Sequence, residues 1–285
     1  MKLVRFSLKD QESMIQTGRI VNGQVEPYTW QVGAPLTEPT HYSPGYALEE
    51  VQLHSPIEAE SIRDFYAFEE HVATANQNRG REVPAQWYEI PVFYFSNHKA
   101  LFGHEASIPY PVGSQALDYE LEVAAVIAKE GINIREEEAE AYIFAYMIYN
   151  DWSARDLQAQ EMKVGLGPAK GKDFAQSFGP YLITADELGD VHTGRPGVYD
   201  LEMIARVNGV ETSRGNWKDL YWSMGQMIER ASAGVKLYPG DVIGSGTVGT
   251  GCLLEVRKGQ GPYLKSGDQV EFEVERLGIL RNTVQ

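Results

Sequence analysis

Residues 117–130, LDYELEVAAVIAKE, constrain the fold of this chain more than any other stretch. Apolar and β-branched residues dominate it, so it reads as a β-strand. Side chains alternate between the two faces of a strand. Tyr119, Leu121, Val123, Ala125 and Ile127 therefore share one face, and Asp118, Glu120, Glu122, Ala124 and Val126 share the other. A strand apolar on both faces belongs in a sheet covered on both sides. This one nevertheless carries carboxylates at its entrance.

A second segment shows how a solvated acidic face looks. In QVEFEVERLG (269–278), Glu271, Glu273 and Glu275 alternate strictly with Val270, Phe272 and Val274, the pattern of a half-exposed strand. In DYELEVAAVI the acidic face turns apolar within two residues, which places Glu120 and Glu122 at the rim of a buried sheet. Buried carboxylates must be protonated, paired with bases or bound to a metal. No Lys or Arg lies close in sequence, which favours a hard divalent cation with oxygen ligands. Asp151, where the apolar run of 135–156 ends, offers a third carboxylate. Residues 135–156 begin acidic and turn apolar, and are expected to form a helix running into the core. Residues 61–80 place Ile62, Phe65, Phe68 and Val72 at helical spacing, with Gly80 as a stop. On that helix Asp64 and His71 would lie two turns apart on one face.

The 285 residues suffice for one large or two modest domains, and four prolines in 33–57 mark a connecting segment between them. Asn-Gly turns within 21–25 and 207–211 predict two hairpins. The segments PYLIT, PGDVIGSGTV, CLLEVRK and DQVEFEVERLG read as strands, and DLYWSMGQMIERAS reads as a helix whose aromatic pairs belong to the core. Strands outnumber helices in the second half, so the expected class is α+β, mostly β. A net charge of −15 argues against nucleic-acid partners. One cysteine excludes an intrachain disulfide, and neither a secretory segment nor a membrane span is visible, so a cytoplasmic protein is expected.

Several motifs fail on context. GSGTVG (244–249) fits a dinucleotide fingerprint, but a strand rather than a helix is expected after it. GPAKGKD misplaces the first glycine of a phosphate loop and has Asp173 where Ser or Thr belongs. No G-x-S-x-G elbow occurs. Cys252 is expected to be a small buried residue. His41, His54, His98, His104 and His192 share no metal-ligand spacing.

Taken together, DFYAFEEH (64–71), YELEVA (119–124), NDWSARDLQ (150–158), LGPAKGKDF (166–174), GTVGTG (246–251) and CLLEV (252–256) resemble the fumarylacetoacetate hydrolase family. The resemblance is specific from about Asp64 to Glu255. Residues 1–57 resemble, less specifically, the short N-terminal part of bacterial members. It implies a β-sandwich roll catalytic domain over 58–285 behind a small N-terminal domain over 1–57. It implies that Asp64, Glu120, Glu122 and Asp151 bind Mg2+, with Ca2+ or Mn2+ as substitutes. His71 matches the general base, Glu255 its carboxylate partner, and Lys172 a lysine beside the metal. Tyr66, Tyr94, Gln158 and Thr247 match substrate contacts. Arg79 and Arg81 both lie near a substrate-binding arginine position; spacing does not decide between them, and Arg81 is carried forward. A homodimer acting on a small β-diketo or 2-oxo acid is also implied, without nucleic-acid or membrane partners.

Two departures stand out: FYFSNHK (93–99) keeps only the tyrosine of a family motif, and Gln176 replaces an expected threonine. The expected activity is hydrolysis of a C–C bond in a β-diketo acid. The alternatives are decarboxylation or isomerisation of 2-oxo acids such as oxaloacetate or the oxo-diacids of aromatic catabolism, and an inactive metal-binding module. Asp118, one step further out than Glu120, is expected to stand outside the ligand set.

Overall fold

The computed structural model describes residues 1–37, 44–78 and 80–285, so His41, Arg79 and part of the proline-rich connection lie outside the described residues. The acidic strand interrupts itself at its acids. Leu117–Asp118 pairs with Ser153–Ala154, and a new strand, Leu121–Ile127, then runs between Ile143–Asp151 and Asp241–Gly244. All seven residues of Leu121–Ile127 are buried, as two apolar faces demand.

The two faces pack into separate cores. Leu121, Val123, Ala125 and Ile127 join Tyr146, Met203, Phe272, Val274 and Leu280, so this core lies between the large sheet and a second sheet. Ala124 and Val126 join Leu3, Tyr28, Ile57, Ile62, Met147, Tyr149 and Phe178. Among the described residues the large sheet has twelve strands. Its central order is Lys2–Leu8, Gln176–Thr184, Ile143–Asp151, Leu121–Ile127, Asp241–Gly244, Ser61–Phe65 and Phe93–Ser96. The five-stranded sheet contains Gln269–Val274, whose alternating burial matches the half-exposed strand read from its sequence. Both Asn-Gly hairpins form, with Asn22, Gly23, Asn208 and Gly209 all at positive φ. Residues 1–57 add strands to the large sheet through Lys2–Leu8, which pairs with Gln176–Thr184. The architecture is α+β and mostly β. Among the described residues no helix is long and apolar enough to cross a membrane.

Three expectations need correction. Residues 61–80 form a strand, Ser61–Phe65, followed by a helix, Glu69–Gln77. Parallel pairing with Asp241–Gly244 and antiparallel pairing with Phe93–Ser96 override the helical period in its first half. Residues 135–156 form a short 3-10 segment, Glu136–Tyr142, and then the strand Ile143–Asp151. A continuous apolar run fits either a buried helix or a buried strand, and here pairing on both edges selects the strand. CLLEV is not a strand: Leu253–Val256 is one helical turn with buried Cys252 at its N-cap position. A helical turn therefore does follow GSGTVG, but the parallel neighbour of Asp241–Gly244 is Ser61–Phe65, far earlier in the chain, so this turn does not close a dinucleotide-binding βαβ unit. The helix in DLYWSMGQMIERAS starts at Met224 behind a Ser223/Gln226 capping box, which leaves Tyr221 outside it and partly exposed.

Gly103 locks the N-terminal strands to the rest of the molecule. A Cβ there would stand 2.5 Å from the Ser55 nitrogen and closer still to the His54 carbonyl carbon, both backbone atoms. Gly103→Ala should cost about 1–3 kcal/mol by overpacking. Gly189→Ala, where a Cβ meets nothing within 4 Å, should leave the urea midpoint unchanged or slightly raised.

Candidate active site

The even-numbered face of Leu121–Ile127 carries Glu122, and strand pairing brings two more carboxylates to it. Asp151 ends the neighbouring strand, in which Glu122 pairs with Tyr149, two residues away on the same face. Asp64 lies one strand further, opposite Gly244. It reaches across because Gly244 has no side chain: a Cβ there would collide with Asp64 Oδ1 and stand 2.9 Å from the Tyr149 ring. Oxygens of Asp64, Glu122 and Asp151 lie within 4.8 Å of one another, all buried. Asp64 Oδ1 and Asp151 Oδ1 have no hydrogen-bond partner although fully buried. An orphaned pair of acceptors inside a carboxylate cluster fits a hard divalent cation, so these residues could hold one.

Charge points the same way. Asp64, Asp118, Glu120, Glu122 and Asp151 are buried together, and among the described residues two buried cations contact them, Lys172 and Arg155. Burial, then the neighbouring negative charges, hold the Asp64 and Glu122 carboxyls well above the usual carboxylate range. Burial also raises Asp151, against the pull of Lys172. Glu120 differs: burial pushes it up, but Lys172 and Arg155 outweigh burial and hold it below its ordinary value. Its Oε1 accepts from Arg155 at 2.8 Å, and its Oε2 accepts from the Lys172 ammonium. Glu120 thus stands beside the three-carboxylate cluster with both oxygens engaged. Lys172 Nζ also donates to Asp151 Oδ2 at 2.5 Å, and Tyr94 Oη to the same oxygen at 2.7 Å.

Arg155 received no role from the sequence, and the structure makes it a hub. Its Nε donates to Asp118 at 2.8 Å, its Nη1 to Glu120, and Nη1 also to Gln158 at 3.2 Å. Asp118 in turn accepts the backbone N–H groups of Leu253 and Leu254, each at 2.9 Å, and so caps the turn that carries Glu255. The signal was present in the sequence, since a buried acidic strand with no adjacent base requires a distant one. The arginine of NDWSARD was the candidate, four residues after Asp151.

On the other side of the cleft, His71 sits in the first turn of Glu69–Gln77, which packs against Leu253–Val256. His71 Nδ1 and Glu255 Oε2 are 2.7 Å apart and both side chains are buried. Thr250 N–H donates to Glu255 Oε1 at 3.2 Å, and the Tyr66 ring stands edge-on to the imidazole with centroids 5.2 Å apart. Asp64 and His71 do share a site, but from a strand and a helix rather than from one helical face. The glycines of GSGTVG let the backbone approach closely: Gly246 N–H donates to Glu122 at 3.0 Å, and Thr247 Oγ1 lies 3.3 Å from the same carboxylate.

A cleft of about 410 Å3 is lined by Asp64, Tyr66, His71, Tyr94, Glu120, Glu122, Gln158, Lys172 and Thr247. Asp151 and Glu255 are buried and are not among its lining residues. Arg81 lines an adjoining cleft that shares Arg155 and Gln158 with the first. Gln176, in place of the expected threonine, is buried; its amide donates to the Lys172 carbonyl at 2.7 Å and accepts from Tyr149 Oη at 2.5 Å. It therefore supports the backbone that presents Lys172.

The fumarylacetoacetate (FAA) hydrolase C-terminal family matches residues 60–285. A fumarylacetoacetase of Arabidopsis thaliana is 30% identical over 285 aligned residues, covering 80% of this chain and 68% of that one. An oxaloacetate tautomerase of Bacillus subtilis is 31% identical over 245, covering 84% and 75%. A fumarylacetoacetate hydrolase from psychrophilic Exiguobacterium antarcticum superposes with a TM-score of 0.80 at 25% identity, covering 100% of this chain and 99% of that one. Relatives in this family thus include both hydrolases and a tautomerase. The chain belongs to the fumarylacetoacetate hydrolase family.

Proposed function

We propose that the protein is a divalent-cation-dependent hydrolase that cleaves a C–C bond in a β-diketo acid of the fumarylacetoacetate or acylpyruvate kind. The observation that carries this reading is the His71–Glu255 pair, 2.7 Å apart, whose imidazole lines the same cleft as Asp64, Glu120 and Glu122. Asp64, Glu122 and Asp151 would hold the cation, with Glu120 as the adjoining fourth carboxylate. Mg2+ suits the all-oxygen set, and Ca2+ or Mn2+ could substitute. A bound divalent ion supplies Lewis acidity and a fixed geometry for the keto-acid oxygens.

The chain's own residues supply the rest. Glu255 accepts a hydrogen bond from Nδ1–H of His71, which leaves Nε2 free to take a proton from water and form the imidazolium. The hydroxide so formed adds to the distal carbonyl of the substrate. Collapse of that adduct breaks the C–C bond and gives a carboxylic acid and the enolate of an oxo acid, a 3-oxo acid from a fumarylacetoacetate-like substrate and a 2-oxo acid from an acylpyruvate. The imidazolium returns its proton to the enolate carbon. The Lys172 ammonium, held in its charged form by Asp151 and Glu120 against the pull of burial, stabilises the enolate charge. Tyr66, Tyr94, Gln158, Thr247 and Arg81 are the proposed substrate contacts, and a homodimer in the cytoplasm is the proposed setting.

A second reading is favoured by the tautomerase relative. The same base can remove the C3 proton of oxaloacetate and return it to the enol oxygen, with no water consumed. A panel of acylpyruvates, fumarylacetoacetate-like diketones and oxaloacetate separates the two. Product acids from the diketones support hydrolysis, and enol–keto exchange of oxaloacetate alone supports tautomerisation. On the best substrate His71→Ala should lose about 10^2–10^4 in turnover. Calorimetry should find its Mg2+ affinity unchanged. Near wild-type turnover would refute the assigned base.

The Gly244–Asp64 contact gives a second expectation. Gly244→Ala should weaken Mg2+ binding by about 10–100-fold, because the new methyl displaces Asp64 rather than backbone. An unchanged calorimetric affinity would remove Asp64 from the ligand set. A third concerns pH. The raised Asp64 and Glu122 pKa values stabilise the metal-free protein while the groups stay protonated, and that contribution is lost as pH rises through the raised values. A cation competes with those protons. The Tm gained on adding Mg2+ over chelator should therefore grow as pH rises above the ordinary carboxylate range. A gain independent of pH would contradict the shared-proton description.

A further inference from the structure

A second set of metal-ligating side chains lies beside the first and has a different chemistry. A ring nitrogen of His71, Cys252 Sγ and a Glu255 oxygen lie within 4.8 Å of one another, and all three residues are buried. Glu255 Oε2 is central, 2.7 Å from His71 Nδ1 and 3.3 Å from Cys252 Sγ. Around a tetrahedral ion with bonds of about 2.0–2.3 Å, neighbouring ligand atoms stand roughly 3.3–3.7 Å apart. The Sγ–Oε2 edge already has that length, and the Nδ1–Oε2 edge must open by less than about 1 Å. The proposed reaction uses His71 and Glu255 and has no task for the sulfur. A hydroxyl could donate the same hydrogen bond to Glu255; sulfur adds affinity for softer cations. The neighbouring Asp64, Glu122 and Asp151 offer only oxygen, so the two sets sort cations by hardness.

We infer that His71, Cys252 and Glu255 form an inhibitory site for a thiophilic divalent cation, Zn2+ above all, reached from the cleft that His71 lines. Three protein ligands leave the fourth position to water. The thiol releases its proton to solvent as the ion binds sulfur. The imidazole remains neutral: its proton leaves Nδ1, which binds the ion, and solvent supplies one to Nε2. The nitrogen that would accept a proton from water is then already protonated. The base is switched off while the oxygen site keeps its own cation. The loss of turnover rests on the reading of His71 as base; the ion site does not.

Cys252 is the only cysteine of the chain, so a thiolate-to-Co2+ charge-transfer band can arise from no other residue. Co2+ titrated into the protein in excess Mg2+ should produce that band, saturating near about one equivalent, and Zn2+ should displace it. Cys252→Ser should show no band, and His71→Ala and Glu255→Gln should each weaken Co2+ by at least about tenfold. In a second arm, Zn2+ is titrated against turnover in excess Mg2+, each protein being compared with its own uninhibited rate. The inhibition midpoint of Cys252→Ser should rise by at least about tenfold. No band in the wild type overturns the site, as does a band that His71→Ala and Glu255→Gln leave equally strong. A band without inhibition keeps the ion site and overturns its inhibitory role. Equal Zn2+ sensitivity of wild type and Cys252→Ser overturns that role as well.

Discussion

The excess of buried negative charge around Glu120 and Glu122 is the constraint on which the rest of the site depends. Asp64, Asp118, Glu120, Glu122 and Asp151 meet Lys172 and Arg155, which leaves three more negative than positive groups out of water. Such a set persists only if protons or a cation make up the difference. The chain divides the task. Asp118 and Glu120 are paired with Arg155 and Lys172, whereas burial raises the pKa values of Asp64, Glu122 and Asp151, where a divalent ion can supply the missing positive charge. The strand carrying these acids breaks at Tyr119–Glu120, between two pairing partners, so that Asp118 can cap the Glu255 turn while Glu122 faces the cleft.

This arrangement ties the two halves of the site together mechanically. Arg155 links Asp118 to Glu120, Asp118 anchors Leu253–Val256, and that turn positions Glu255 against His71. The catalytic pair and the carboxylate cluster are therefore joined by charge-assisted hydrogen bonds rather than by loop packing alone. Removing Arg155 would leave Asp118 and Glu120 short of a partner and would loosen the Glu255 turn. The glycines serve the same end. Gly244 leaves room for Asp64, and Gly246 brings its N–H to Glu122.

Much of this was legible before any coordinates. The two-faced burial of residues 121–127, the half-exposed strand 269–274 and both Asn-Gly hairpins follow from periods and turn residues that act locally. The elements misread share one cause. Residues 61–65, 143–151 and 253–256 carry apolar runs or mixed periods that suit helix and strand almost equally. Strand partners elsewhere in the chain, from about 20 to 180 residues away, or a cap from Asp118, decided among them. Arg155 was passed over for a related reason: the demand for a base is legible at Glu120, but tertiary packing sets which distant arginine meets it.

The sequence by itself determined which groups are present and on which face of a strand each lies. Glu120 and Glu122 stand two residues apart on a face that turns apolar, and that alone demanded a counter-charge. Only the tertiary structure decided how the demand is met. Glu120 is satisfied by Arg155 and Lys172, whereas Glu122 is left to Asp64 and Asp151. Asp64 shares that cluster because Gly244 leaves room for its carboxylate, and His71 meets Glu255 because two short helical segments pack together. Alternation along a strand is a property of the local backbone, whereas the pairing of buried charges depends on which distant segments the sheet brings within hydrogen-bond reach.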